Sequence, residues 1–446
     1  MWKPLAAFCL VFALLAGFFG YTVVETLDAQ DAVSFTVEQQ IGDPAAAQGF
    51  QLNIPTFQNY DMAWDTTLTL GSTPTWSTDY RYDPGNISWY TPQESSPMLS
   101  IAVGDTSMFY ISGDDWSTNV IGQAYREIIE DVSTRAPAKG SYSETVVLSD
   151  YLDYYPVILS DIPLPDSYSS GWETWDLTQA LRIPVGQGDT IQVDLELDQN
   201  FVISSIYLST PQAPSLYSEA ILSNGYYYVL FSPEQQDGTP VSGASPYGLY
   251  RIPASGGQAL AAQNCTLCYQ TSGKPQHLAL SDGGYHLLLM ENLAENNYQF
   301  LLLDTLSYQP LQEIPIQLPD ENHTFIIQDS YLGVLSLSDD YPAPLVQSLN
   351  LWAKNDFGLY APVLDCDLTQ AQFPLGVSFQ TYYDGERLVM ASYLQTSPSG
   401  YMVTPSVSIA VCNSDGLAYS ARFIHSQSIT GFIQVQDYRL TLTPVS

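Results

Sequence analysis

Two stretches of the chain, "LSNGYYYVLFS" (Leu222–Ser232) and "LSDGGYHLLLM" (Leu280–Met290), share one pattern 58 positions apart. Each is a turn of Asp or Asn with Gly, followed at once by an apolar and aromatic run. Weaker copies lie at Asp329, Asp384 and Asp437, so successive turns are spaced by 58, 47, 55 and 53 residues. Asn, Asp and Gly tolerate the positive φ of a tight hairpin turn. An apolar run without alternation is the mark of a strand covered on both faces. Short strands and turns lie between the copies, as in "YGLYRIPASGG" (Tyr247–Gly257) and "YQFLLLDTLSYQPLQEIPI" (Tyr298–Ile316). A period near 50 with several strands per unit predicts an all-β, β-propeller-like fold, in which each sheet is covered by its neighbours. Residues 25–446 hold seven or eight such units.

The composition fits a folded chain. Of 446 residues, 45% are hydrophobic and 13% aromatic, and only 13% are charged, the reverse of a disordered chain. The net charge of −35 excludes nucleic acid as a partner, because such binding depends on neutralising phosphates. It also disfavours anionic lipid surfaces.

The run Pro4–Val24 carries no charge over 21 residues. At about 1.5 Å per residue it is long enough as a helix to cross a bilayer core of ~30 Å. Lys3 precedes it, and Glu25, Asp28 and Asp31 follow. Positive charge stays in the cytoplasm, so a single-pass signal-anchor with the bulk of the chain outside is expected, with a cleaved signal peptide as the alternative. No small-x-small cleavage site follows the run cleanly, and Cys9 lies inside it behind Phe8, where it cannot be a lipoprotein cysteine.

This partitions the chain into an anchor (1–24), an irregular β-rich region (25–214) and regular propeller-like repeats (215–446). The irregular region is read either as divergent blades or as a separate β domain. Within it, Ile191, Val193, Leu195 and Leu197 alternate with Gln192, Asp194, Glu196 and Asp198, as in a half-exposed strand. "TVVLSDYLDYYPVILSD" (Thr145–Asp161) reads as strand, turn, strand. Apolar residues at helical spacing predict a helix over 118–133, with Glu127, Glu130 and Asp131 on its wet face.

"GDPAAAQGFQLNIP" (Gly42–Pro55), "MAWDTTLTLG" (Met62–Gly71), "LSDYLDYYPVILS", "GLYRIP" and "SDGGYHLLL" together resemble a family of uncharacterised single-span exported proteins of Gram-positive gut bacteria. The resemblance spans most of the chain. It implies a membrane-anchored location and a propeller-like fold, and no activity or site.

The chemistry is sparse. No G-x-S-x-G, H-E-x-x-H or P-loop motif occurs. "NCTLCYQ" places Cys265 and Cys268 at C-x-x-C spacing, but on a strand such positions face opposite ways, and zinc needs two further ligands. His277, His286, His323 and His425 show no nucleophile pairing. "TSGK" (Thr271–Lys274) matches S-x-x-K only loosely, and "VGQGDT" (Val185–Thr190) holds two glycines of a dinucleotide fingerprint. "YDPGNISW" (Tyr82–Trp89) is like the Asp-box of sialidase-like propellers but has Arg81 where Ser is usual. Acid pairs in "GDDW", "SDDY" and "LDCD" are the one abundant reactive type. Asp114, Asp115, Asp339 and Asp340 are the candidate Ca²⁺ ligands, although no EF-hand register accompanies them. No catalytic or cofactor-binding residue is assigned.

The expectation is a membrane-anchored extracytoplasmic binding or scaffold protein, non-enzymatic, with a protein or glycan partner at the cell surface. The alternatives are an accessory subunit of a membrane complex such as a transporter, to which "AGFFG" (Ala16–Gly20) would allow close helix approach, and a glycan-active hydrolase using loop carboxylates.

Overall fold

A computed structural model describes residues 11–21, 23–24, 33–58, 62–82, 98–104, 110–112, 114–118, 120–162, 173–209, 211–254, 263–318, 322–339, 343–376, 378–396, 402–426, 429–430 and 440–445. The described chain is all-β apart from short helices, and every strand pairing is antiparallel across seven sheets. It forms two compact units, residues 1–91 with 322–446 and residues 92–321.

The first unit holds three sheets. One is built in chain order from His323–Ile327, Tyr331–Leu337, Val346–Lys354 and Tyr360–Asp367. The second runs Ser378–Tyr383, Arg387–Thr396, Met402–Asn413 and Gly416–His425, and is completed by Phe35–Gly42 from near the start of the sequence. The third takes Phe50–Gln58, Met62–Thr69 and Thr75–Tyr82, and is completed by Thr441–Pro444. Early and late segments therefore exchange strands. Gly42 makes one half of this clasp possible: its φ is +78°, and a Cβ there would lie 2.1 Å from the Ala418 carbonyl oxygen.

The middle of these sheets explains the apolar runs. In Arg387–Thr396, Val389 and Ala391 pack into a core shared with the 50–82 sheet. Leu388 and Met390 pack on the other side against Leu335, Leu349 and Leu364 of the 323–367 sheet. Successive side chains point to opposite faces, so both sets are buried. Truncating one such Leu to Ala costs about 2–5 kcal/mol.

The second unit has two sheets in chain order. One is Ser215–Tyr217 and Ala220–Ser223 against Tyr226–Glu234, then Gly248–Pro253 and Thr266–Gln270. The other is Lys274–Ser281, His286–Ala294, Asn297–Asp304 and Pro310–Gln317. Tyr228 and Leu230 pack toward the 274–317 sheet, while Tyr227, Val229 and Phe231 join a separate core.

That separate core belongs to two interleaved sheets. Met98–Val103 pairs with Val157–Ile162 and Glu173–Asp176, whereas Tyr110–Ser112 and Gly140–Val147 flank Ile203–Leu208 and Thr190–Leu197. The strands of the Thr145–Asp161 segment thus enter different sheets. Thr190–Leu197 alternates as expected, with Ile191, Val193, Leu195 and Leu197 buried. The expected 118–133 helix is two helices, Val120–Ala124 and Arg126–Arg135. Tyr125 leaves helical geometry between them and is buried, with its hydroxyl donating to the Gly104 carbonyl at 3.3 Å. Glu130 and Asp131 are wet-face acids, paired with Arg126 and Arg135.

Within the Pro4–Val24 run, residues 11–21 and 23–24 are helical, and the apolar side chains Phe12, Leu14, Leu15, Phe18 and Phe19 are exposed. Residues 4–10 and 22 lie outside the described residues, and no helix among those described is long and apolar enough to cross a membrane.

Candidate interaction site

The turns read from the sequence occupy one position in the sheets. Asn224, Asp282, Asp329 and Asp384 each sit in the turn between an edge strand of a sheet and the strand that follows it in the chain and pairs with it. Asn224 and Asp282 have φ of 50° and 52°, and Gly225 and Gly283 continue the left-handed turn. Asp437 lies outside the described residues. In the second unit the two turns meet, since the Cβ position of Gly284 is 3.0 Å from Ser223 Oγ.

Beside these turns the 215–270 and 274–317 sheets bring together residues from five segments. Arg251 is half-buried near the end of its strand, and its guanidinium carbon lies 4.7 Å from the Tyr226 ring centre and 5.7 Å from that of Tyr308. Its Nη1 donates to the Tyr308 hydroxyl at 3.1 Å. Stacking on two rings keeps the cation in place. Tyr308 sits at φ 56°, an unusual conformation for a bulky residue, held by its N–H to the Asp304 carbonyl at 2.8 Å. Burial, then contact with Tyr228, pushes its phenol well above the ordinary range, so it stays a neutral hydrogen-bonding group.

Cys268 reaches this cluster, with Tyr308 and Arg251 as neighbours, while Cys265 packs against the core of the opposite face. Cys268 lies on the strand Thr266–Gln270 and Cys265 just before it, and their side chains divide between the two faces. Burial pushes the Cys265 thiol up to about 12 and raises that of Cys268, so neither is an activated nucleophile.

The rim is apolar and exposed. Leu306 is 91% exposed and Tyr285 75% exposed. Both are fixed by polar turns rather than by packing. Asp304 accepts from the backbone N–H of Leu306 at 3.1 Å and of Ser307 at 2.7 Å, and the Thr305 hydroxyl donates to the Tyr285 carbonyl at 2.7 Å. The Ser307 N–H and hydroxyl hold the Asp304 carboxyl below its usual range. His286 Nδ1 lies 2.6 Å from Asp282 Oδ2 in the adjoining turn. The same device recurs in the first unit, where Asn355 accepts from the N–H of Phe357 and Leu359, and Phe357 is 88% exposed.

The other sequence candidates do not converge. Asp339 is exposed and accepts from Asn322 at 2.8 Å. Asp114 and Asp115 begin a short 3-10 helix, but their side chains, like Asp340, fall outside the described residues. Among the described residues no group of three or more His, Cys, Asp or Glu could hold a metal ion. In "TSGK", Lys274 is engaged by Glu234 at 2.6 Å and is not available to activate Thr271. In "VGQGDT", Asp189 accepts from the Gly186 N–H at 2.8 Å and from Tyr155, which makes it the clamp of a turn. His277 pairs with Glu219 at 3.1 Å, and His425 is buried against Phe35. The Asp-box-like Asp83–Trp89 lies outside the described residues. The Arg251–Tyr226–Tyr308 cluster was not legible in the sequence, because its members come from separate strands and a turn. The one local signal was the polar "LLLDTLSYQP" turn that carries Leu306 and Tyr308.

No family model and no curated protein matches the chain. Solved structures share partial likeness. A candidate 6-phosphogluconolactonase of Bacteroides fragilis is 10% identical, with 90% of this chain and 100% of that one covered and a TM-score of 0.32. The β-propeller domain of the Trilobed protease from Pyrococcus furiosus is 10% identical over 63% of this chain and 71% of that one, with a TM-score of 0.26. A puromycin-hydrolysing peptidase of Mycobacterium tuberculosis is 12% identical over 85% and 54%, with a TM-score of 0.27. At these scores the likenesses carry no argument about this chain.

Proposed function

We propose that this protein is a membrane-anchored, extracytoplasmic binding module of β-propeller type that holds a protein or glycan partner at the cell surface. The propeller reading is supported by antiparallel sheets of about four strands, three of them (215–270, 274–317 and 323–367) laid down in chain order, and by strands such as Arg387–Thr396 that are buried on both faces. The anchor is supported by the uncharged run Pro4–Val24 and the order of charges around it.

The observation that carries the binding reading is Leu306 and Tyr285, two large apolar side chains held in water on hydrogen-bonded turns beside the stacked Arg251. Exposed apolar surface next to an ordered aromatic and guanidinium cluster has the composition of a binding hot spot. The turns fix these side chains beforehand, which lowers the ordering cost of association.

The test is retention of the detergent-solubilised full chain on an immobilised cell-envelope fraction. Replacing Leu306 with Asp and Tyr285 with Ser should cut retention at least tenfold with the thermal transition unchanged. Unchanged retention would remove this surface from the proposal.

A further inference from the structure

Cys366 and Cys412 are both buried in the first unit. Cys366 lies on Tyr360–Asp367, the last strand of the 323–367 sheet, and Cys412 on Met402–Asn413 of the 378–425 sheet. They meet in the core between those sheets, among Leu349, Leu388 and Leu364. The two thiols hydrogen-bond to each other, and Cys366 Sγ also lies 3.8 Å from the Asp367 carbonyl oxygen. Their positions are 46 residues apart in sequence. A single buried cysteine is a small hydrophobe, but two sulfurs in contact across a sheet interface are one oxidation away from a covalent link.

We propose that Cys366 and Cys412 are a disulfide-forming pair that bolts the 323–367 sheet to the 378–425 sheet when the protein folds in contact with a disulfide oxidant. The oxidant is a small-molecule or protein disulfide. The Cys366 thiolate attacks one of its sulfurs and expels the first thiolate, leaving a mixed disulfide. The Cys412 thiolate then attacks Cys366 Sγ, forms the intramolecular bond and expels the second thiolate. The protein loses two electrons and two protons, and the oxidant leaves as two thiols. Burial shields both sulfurs in the finished fold, so the bond forms as the sheets assemble. Closing a loop of this length restricts the unfolded chain and stabilises the native one.

The test refolds the full chain in detergent with glutathione disulfide, then blocks free thiols under denaturing conditions and maps tryptic peptides by mass. The expected product joins the peptide 355–387 to the peptide 388–422, and the link persists when Cys265 and Cys268 are both replaced by Ser. Reducing the linked protein should lower its Tm by about 5 °C or more, with no shift in Cys366→Ala. Circular dichroism of each refolded sample confirms that the sheets have formed. Refolded protein in which Cys366 and Cys412 both take the first label, or are found bonded to Cys265 or Cys268, would overturn the proposal.

Discussion

At the end of the 215–270 and 274–317 sheets that carries Asn224 and Asp282, the polar groups shape turns and leave Leu306, Tyr285 and one face of the Arg251 cluster to the outside. At the opposite end the same two sheets spend their charges on each other. Glu291 is fully buried and accepts from the Gly273 N–H at 2.9 Å and from the Gln299 amide. Lys274 is ion-paired with Glu234. One end is satisfied from within and the other presents surface. The difference teaches that a polar cluster is no guide to function by itself: the closed end has more buried charge, and the open end has the groups a partner could reach.

The strongest way to break this contrast is at the closed end. Glu291→Ala strands two donors in the core and should cost about 3 kcal/mol in urea unfolding, with retention on the envelope fraction unaffected. Glu291→Gln keeps one acceptor and should cost less. A cost below about 1 kcal/mol for the alanine variant would show that this end is not the structural one. At the open end, Arg251→Ala removes two ring contacts and a hydrogen bond, for about 1–2 kcal/mol of stability. It should also weaken retention at least tenfold, while Arg251→Lys, which keeps the charge and loses the planar stack, restores little of it.

Asp304 gives a smaller effect with a definite sign. Its folded value is depressed from the ordinary 3.8, so its contribution is present above that value and lost as pH falls through the folded one. Asp304→Asn should therefore have a slightly lower Tm at neutral pH, with the difference fading below pH 3.8. A difference that grew on acidification would contradict the turn assignment. The smallest expected change is in Leu306→Ser, whose stability should stay within about 0.5 kcal/mol of the parent even though its binding is lost. A larger loss would mean that Leu306 packs against the protein itself.

The sequence revealed what is local. The turns at Asn224, Asp282 and Asp384, the doubly covered strands that follow, and the alternation of Ile191–Leu197 all follow from φ preference and side-chain period. It did not reveal the pairing of Phe35–Gly42 with Gly416–His425, or the crossing of strands between sheets around 98–208, because nothing in one strand names a distant partner. The helix break at Tyr125 was hidden for a related reason. Helical spacing covers both segments, and only the core contact of Tyr125 shows where they part. The acid pairs were conspicuous as residues but not as a site, whereas Arg251, Tyr226 and Tyr308 are inconspicuous in sequence and meet only through strand order.

The most direct measurement places a photo-crosslinking residue at Leu306, on the open end, or at Glu295, in the turn of the closed end, in the full-length chain in its native cells. The binding account predicts a discrete adduct from position 306, none from position 295, and loss of the 306 adduct when Arg251→Ala is added. Equal adducts from both positions, or none from 306, would contradict it.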